Sequence, residues 1–166
     1  NMGYNHILFE QSVMRHSIQI RNYVDMIKYY IKKGYLDRKE KGDKLLIFAA
    51  SIDLCTLLTY TVKSMCSDLK VSRYVEDDPF ENIVDSDIVI STVLSSGTAF
   101  DIPGLITVIQ TISVKSKQAN IQAIGRLRKK DGKQMKYYQL FSKYIQKQND
   151  YHKYRIEMLG PRIKEL

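Results

Sequence analysis

Apolar residues follow two periods along this chain, and the change from one to the other marks its elements. Val13, Ile20, Val24, Ile27 and Ile31 recur at helical spacing, with Lys28, Lys32 and Lys33 off the stripe. This predicts an amphipathic helix that Gly34 ends. Upstream, the short apolar stretch within Tyr4–Phe9 predicts an edge strand. Lys44–Ala50 (Lys-Leu-Leu-Ile-Phe-Ala-Ala) and 87–92 (Asp-Ile-Val-Ile-Ser-Thr) are unbroken apolar runs, as in central parallel strands covered on both faces. Leu105–Ile112 reads as a third such strand and Lys136–Phe141 as the last.

Between these runs the helical period returns. Ser51 and Asp53 stand where a helix should start, and Leu54, Leu57, Leu58 and Val62 form its buried face. A weaker strand is expected over Leu69–Val75, broken by Glu76-Asp77-Asp78 and Pro79 and followed by a short helix around Phe80–Val84. Residues 118–127 read as a helix, Asp131-Gly132 as a turn, and Asn149–Leu159 as a C-terminal helix ending at Gly160-Pro161. Strands alternating with helices predict an α/β three-layer sandwich with a mostly parallel central sheet, whose ligands bind at the carboxyl ends of the strands. The expected division is a leading strand, helix and charged loop over 1–43, a core over 44–148, and a terminal helix over 149–166.

Composition narrows the class. At 166 residues with 44% hydrophobic and 27% charged residues, the chain suits one globular domain, and no apolar run approaches a bilayer span. The start, Asn1-Met2, has the look of an expression remnant, so the chain reads as a piece of a longer protein. Cys55 and Cys66, eleven apart on one predicted helix, read as reduced, partly buried thiols of a cytoplasmic protein. His6, His16 and His152 are scattered without metal-ligand spacing, so no metal site is expected. The net charge of +8 is uneven: residues 115–166 hold 14 Lys and Arg against 4 Asp and Glu, and the rest is close to neutral. That surplus suits a phosphate-bearing partner: a nucleic-acid backbone, a nucleotide or an anionic membrane.

Two segments carry chemistry. In Asn120-Ile-Gln-Ala-Ile-Gly-Arg-Leu-Arg-Lys-Lys130, Gln122 and Arg126 share a helix face, and Gly125 lets the helix lie close to a neighbouring surface. Guanidinium groups such as those of Arg126 and Arg128 bind phosphate through bidentate, charge-assisted hydrogen bonds and can stabilise a γ-phosphoryl group in transfer. Alone, the segment fits a solvated basic helix end equally well. In 91–104 (Ser-Thr-Val-Leu-Ser-Ser-Gly-Thr-Ala-Phe-Asp-Ile-Pro-Gly), a buried strand ends in small hydroxyl residues, a glycine and then Asp101. Small residues let a phosphodiester approach main-chain N–H groups. Alone, this segment also fits a tight turn with Asp101 capping locally.

Together, in order and spacing, these segments resemble the C-terminal RecA-like (P-loop NTPase-type) core domain of superfamily 2 helicases. Lys44–Ser51, with Phe48, looks like motif IV; Ser91–Pro103 looks like motif V; Gln122-Ala-Ile-Gly-Arg-Leu-Arg128 looks like motif VI. The flavour is that of phage and bacterial translocases that remodel branched DNA in repair and recombination, more than of DEAD-box RNA helicases. The resemblance implies that Arg126 and Arg128 face the γ-phosphate of ATP, positioned by Gln122. It implies that Asp101 touches the ribose or motif VI, and that Thr92, Gly97 and Ser51 contact the nucleic-acid backbone. ATP and Mg²⁺ would be bound mainly by an N-terminal RecA-like domain of the same protein, and no membrane partner is implied.

Two spacings depart from the family. Three residues separate Gly97 from Asp101 where one is usual, and Lys129 holds the place where the second motif VI arginine usually stands. Either Arg128 or Lys129 completes the site. The chain contains no Gly-x-x-x-x-Gly-Lys-Ser/Thr loop, since Gly132-Lys133 is followed by Gln134, and Glu76-Asp77-Asp78 reads as a polar loop rather than a magnesium-holding pair. These residues alone are therefore expected not to hydrolyse ATP. Two other readings stay open: an ATP-independent basic nucleic-acid-binding α/β module, and the motor subunit of a restriction enzyme.

Overall fold

The computed structural model describes residues 4–92, 102–113 and 136–159. Its strands are β1 (Lys44–Phe48), β2 (Val71–Tyr74), β3 (Ile88–Ser91), β4 (Leu105–Gln110) and β5 (Lys136–Gln139). They form one sheet of order β2-β3-β1-β4-β5, and every pairing is parallel. The helices are α1 (His6–Arg15), α2 (Ser17–Ile31), α3 (Ile52–Met65), α4 (Glu81–Asp85) and α5 (Gln146–Leu159).

The unbroken apolar runs are the central strands because both sheet faces are covered. Along β1 and the residue after it, Leu45, Ile47 and Ala49 join one hydrophobic cluster with Ile27 and Ile31 of α2 and Leu54, Leu58 and Val62 of α3. Leu46 and Phe48 point the other way, into a cluster with Ile83 of α4, Ile102, Leu105 and Val108. In β4 the pairing slips by one residue, from Lys44 opposite Leu105 to Leu45 opposite Thr107. The extra residue, Ile106, is buried on the same side as Ile109, as a β-bulge allows.

The N-terminal stretch departs from expectation. Tyr4–Phe9 is not an edge strand; residues 6–15 are helical. Four apolar residues cannot decide between strand and helix by period, and capping decides here: the Asn5 side chain accepts from the N–H groups of Ile7 and Leu8 at 2.9 and 3.1 Å. The single helix expected across Val13–Ile31 is also broken, at His16, whose backbone is extended (φ −109°, ψ 111°).

Gly34 does not end α2 either. The chain continues through a π-helical turn over Lys32–Leu36. The glycine serves close approach: a Cβ there would lie 2.5 Å from Cε2 of Tyr138, and its carbonyl accepts from Thr107 Oγ1 at 2.8 Å. Gly104 is required differently, with φ +82° and a would-be Cβ directed at the carbonyl oxygen of Gly42.

The C-terminal helix is present and two turns of it bury polar residues. Gln148, His152 and Arg155, at helical spacing, are 2%, 8% and 2% exposed. Gln148 Oε1 accepts from Ser142 N at 2.6 Å, His152 stacks on Phe141 with centroids 3.9 Å apart, and Arg155 donates to Ser113 Oγ at 3.4 Å. Cys55 and Cys66 are free thiols and both are buried; burial pushes the Cys55 thiol up to about 12, which leaves it protonated and inert at neutral pH. No described helix is long and apolar enough to cross a membrane.

Candidate functional site

The carboxyl edge of a parallel sheet collects the loops that can bind ligands, and the crevice opens where successive crossovers leave in opposite directions. Here β1 has β3 on one side and β4 on the other, so that edge is centred on the end of β1. Ala49 N donates to Ser91 O at 3.0 Å, and Thr111 N donates to Phe48 O at 3.1 Å. The ends of three neighbouring strands are thereby held level.

Two of the sequence-predicted site residues fall on this edge. Ser51 follows β1 and caps α3, its Oγ accepting from Leu54 N at 3.2 Å. Thr92 follows β3, one residue beyond Ser91, whose buried hydroxyl donates to Tyr74 O at 2.5 Å and also lies 3.0 Å from the Thr92 carbonyl oxygen. The pairing of Phe48 with Ser91 sets Ser51 and Thr92 just beyond two adjacent strand ends. The other predicted site residues, Gly97, Asp101, Gln122, Gly125, Arg126, Arg128 and Lys129, lie outside the described residues. The described chain does bracket them. Thr92 and Ile102 flank the segment with Gly97 and Asp101, and Ser113 and Lys136 flank the one with motif VI. Ile102, next to Asp101, is buried in the core beside Phe48.

The residue that pattern reading missed is Glu10. It is the one buried residue of α1, 3% exposed. Its Oε2 accepts from Ala50 N at 2.8 Å, and its Oε1 accepts from Ser51 N at 2.7 Å and Ser51 Oγ at 2.6 Å. Among the described residues no Lys, Arg or His reaches ion-pair distance of it. Burial pushes its carboxyl up, against the pull of the hydrogen bonds from Ser51 and Ala50. The available signal was Asn5 as an N-cap: a helix begun there carries residue 10 round to the sheet.

Tyr23 of α2 lies in the same region as Glu10, and the Thr111 hydroxyl there donates to the Phe48 carbonyl at 2.7 Å. A cleft of about 640 Å³ opens next to this, bounded by Phe9, Tyr23, Met26, Leu140 and Tyr144. At the far end of the edge, Asp78 is engaged structurally. Its carboxylate takes a bidentate pair from Arg73 (2.8 and 2.9 Å) and a bond from Val75 N at 2.9 Å, and Arg73 holds it below the usual carboxylate range. That is the behaviour of a polar loop. Among the described residues no group of three His, Cys, Asp or Glu is arranged to hold a metal ion.

Solved structures share this fold. The C-terminal part of the Fun30 ATPase domain matches with a TM-score of 0.59 at 20% identity, over 78% of this chain and 43% of that one. The C-terminal domain of the DEAD-box protein Dbp5 matches with a TM-score of 0.55 at 20% identity, over 74% and 72%. The Hef helicase domain of Pyrococcus furiosus matches with a TM-score of 0.50 at 18% identity, over 81% of this chain and 28% of that one. The chain thus spans less than half of the Fun30 and Hef structures. No family model and no curated protein matches the sequence. At these identities the likeness establishes the fold, a RecA-like α/β domain of the kind found at the C-terminal end of helicase cores.

Proposed function

We propose that this chain is the second motor domain of an ATP-dependent superfamily 2 helicase or translocase acting on nucleic acid, DNA rather than RNA. One observation carries the reading. A RecA-like sheet of this order has the sequence segments that carry the two motifs following β3 and β4 in the chain, and the carboxyl ends of such strands are where these folds bind ligands. The fold of the solved neighbours supports the same assignment. The preference for DNA, and for branched DNA of the kind met in repair and recombination, rests on the likeness of motifs V and VI to phage and bacterial translocases.

In this mechanism ATP and Mg²⁺ are held mainly by a first RecA-like domain, and hydrolysis supplies the free energy for movement. The residues of this chain meet the nucleotide from the other side. Arg126, with Arg128 or Lys129, faces the γ-phosphate and stabilises the charge that develops on it. Gln122 positions the arginine, Gly125 lets the helix approach, and Asp101 reaches the ribose or motif VI. Thr92, Gly97 and Ser51 touch the nucleic-acid backbone. Opening and closing of the two domains around ATP then changes the grip on the strand.

Binding tests the nucleic-acid limb. Fluorescence anisotropy of labelled single-stranded, duplex and branched oligonucleotides against this chain should show weak binding that falls steeply with salt. Thr92→Ala should weaken it by about threefold to tenfold on all sequences alike, as loss of one backbone contact does. Branched DNA should bind ahead of RNA of the same length. Binding indifferent to salt, or equal affinity for RNA and DNA, would count against the reading.

A further inference from the structure

A ten-residue helix whose one buried residue is a glutamate is held in place in an unusual way. Ile7 and Leu8 of α1 are 41% and 56% exposed, while Glu10 is 3% exposed. The carboxylate is bound by two successive backbone N–H groups and a hydroxyl, all at the head of α3, with no counter-ion among the described residues. Burying an unpaired carboxylate is costly, and an uncharged side chain could tether a helix without that cost. The same donors, at a helix N-terminus and in successive backbone amides, are those that bind phosphate oxygens. A phosphate oxygen and the Glu10 carboxylate cannot both occupy them.

We infer that α1 is an internal latch: Glu10 sits in the seat of a nucleic-acid phosphate at Ala50-Ser51, and a bound strand displaces it. This rests on the reading of Ser51 as a backbone contact. The surroundings suit a helix that lifts away. On one side α1 joins α2 through the extended residue His16. On the other it is tied by Tyr4, whose hydroxyl accepts from Gln148 Nε2 at 3.1 Å and whose ring meets Tyr151 edge-on, with centroids 5.8 Å apart. Those ties are polar or aromatic contacts at the rim, and α1 adds to the main core one partly buried side chain, Met14, whereas α2 is anchored through the fully buried Ile27 and Ile31. Release of α1 would therefore open the carboxyl edge of β1 and leave the main core intact.

Two measurements on the whole chain test the latch, with a fluorescein-labelled single-stranded 20-mer DNA as probe. In anisotropy titrations, Glu10→Gln should bind about tenfold tighter than the unaltered chain, the scale of one charge-assisted contact set free. Adding Ser51→Ala to Glu10→Gln should remove that gain. In hydrogen–deuterium exchange of the unaltered chain, saturating DNA should speed exchange over residues 6–15, a readout independent of how the variants fold. Unchanged affinity on Glu10→Gln, with Ser51→Ala weakening binding in that background, would overturn the latch and leave the Ser51 contact standing. No effect of Ser51→Ala in the Glu10→Gln background would overturn the Ser51 contact, and the latch with it. Exchange over residues 6–15 that slows or stays constant on binding would overturn the latch.

Discussion

Arg126→Ala in the full-length protein is expected to lower nucleic-acid-stimulated ATP turnover by about a thousandfold or more, the scale set by arginine fingers in phosphoryl transfer. The loss should fall on kcat and leave KM for ATP nearly unchanged. On the proposed assignment the first domain would grip the phosphates and Mg²⁺, so ground-state binding would not depend on this arginine, whereas the charge that spreads over the γ-phosphoryl oxygens in the transition state would. Arg126→Lys should recover little, because an ammonium lacks the planar fork that meets two oxygens at once. The same steady-state assay decides between Arg128 and Lys129. Whichever alanine substitution costs more identifies the second finger, and the irregular spacing of motif VI makes the comparison informative.

The largest effect on stability is expected at Phe48. Its ring is 2% exposed and packs on the sheet face with Ile83, Ile102, Leu105 and Val108, while its carbonyl accepts from both the N–H and the hydroxyl of Thr111. Phe48→Ala keeps those backbone bonds and leaves a void, at a cost of about 3–5 kcal/mol. A domain has only about 5–15 kcal/mol in hand, so the variant should unfold at much lower urea, with the midpoint moving and the slope unchanged. Tyr144→Ala is the control: that side chain is 99% exposed, and its loss should shift stability by about 0.5 kcal/mol or less. The void would also reach the candidate site, because Ile102 anchors the chain next to Asp101.

Much of the fold was legible because burial on both faces writes itself into a strand as an unbroken apolar run. Lys44–Ala50 needed no more than that, and Ser51 announced the helix after it. The parallel α/β sandwich followed from the alternation of such runs with helical stretches. Elsewhere the information lay in contacts that periodicity does not record. Residues 6–9 are as apolar as an edge strand, and only Asn5 capping the N–H groups of Ile7 and Leu8 makes them a helix. Gly34 reads as a helix stop by composition, yet it is there so that Tyr138 can lie against the backbone. The buried stripe of α5 is Gln148, His152 and Arg155, which a hydrophobic pattern cannot see.

The candidate site divides the same way. Ser51 and Thr92 stand at adjacent strand ends because the runs that precede them pair in register. Glu10 was invisible to pattern reading, since a carboxylate in a polar-looking stretch carries no sign that it will be buried forty residues away along the chain. Its importance comes from what it touches, the N–H groups of Ala50 and Ser51.

The most direct measurement is ATP hydrolysis by the full-length protein with and without saturating DNA, set beside the 166-residue chain in the same assay. The expected result is turnover that rises strongly with DNA in the full-length protein and none from the 166 residues alone. Full-length protein that binds DNA but hydrolyses no ATP would contradict it and favour an ATP-independent binding module, as would hydrolysis by the 166 residues on their own.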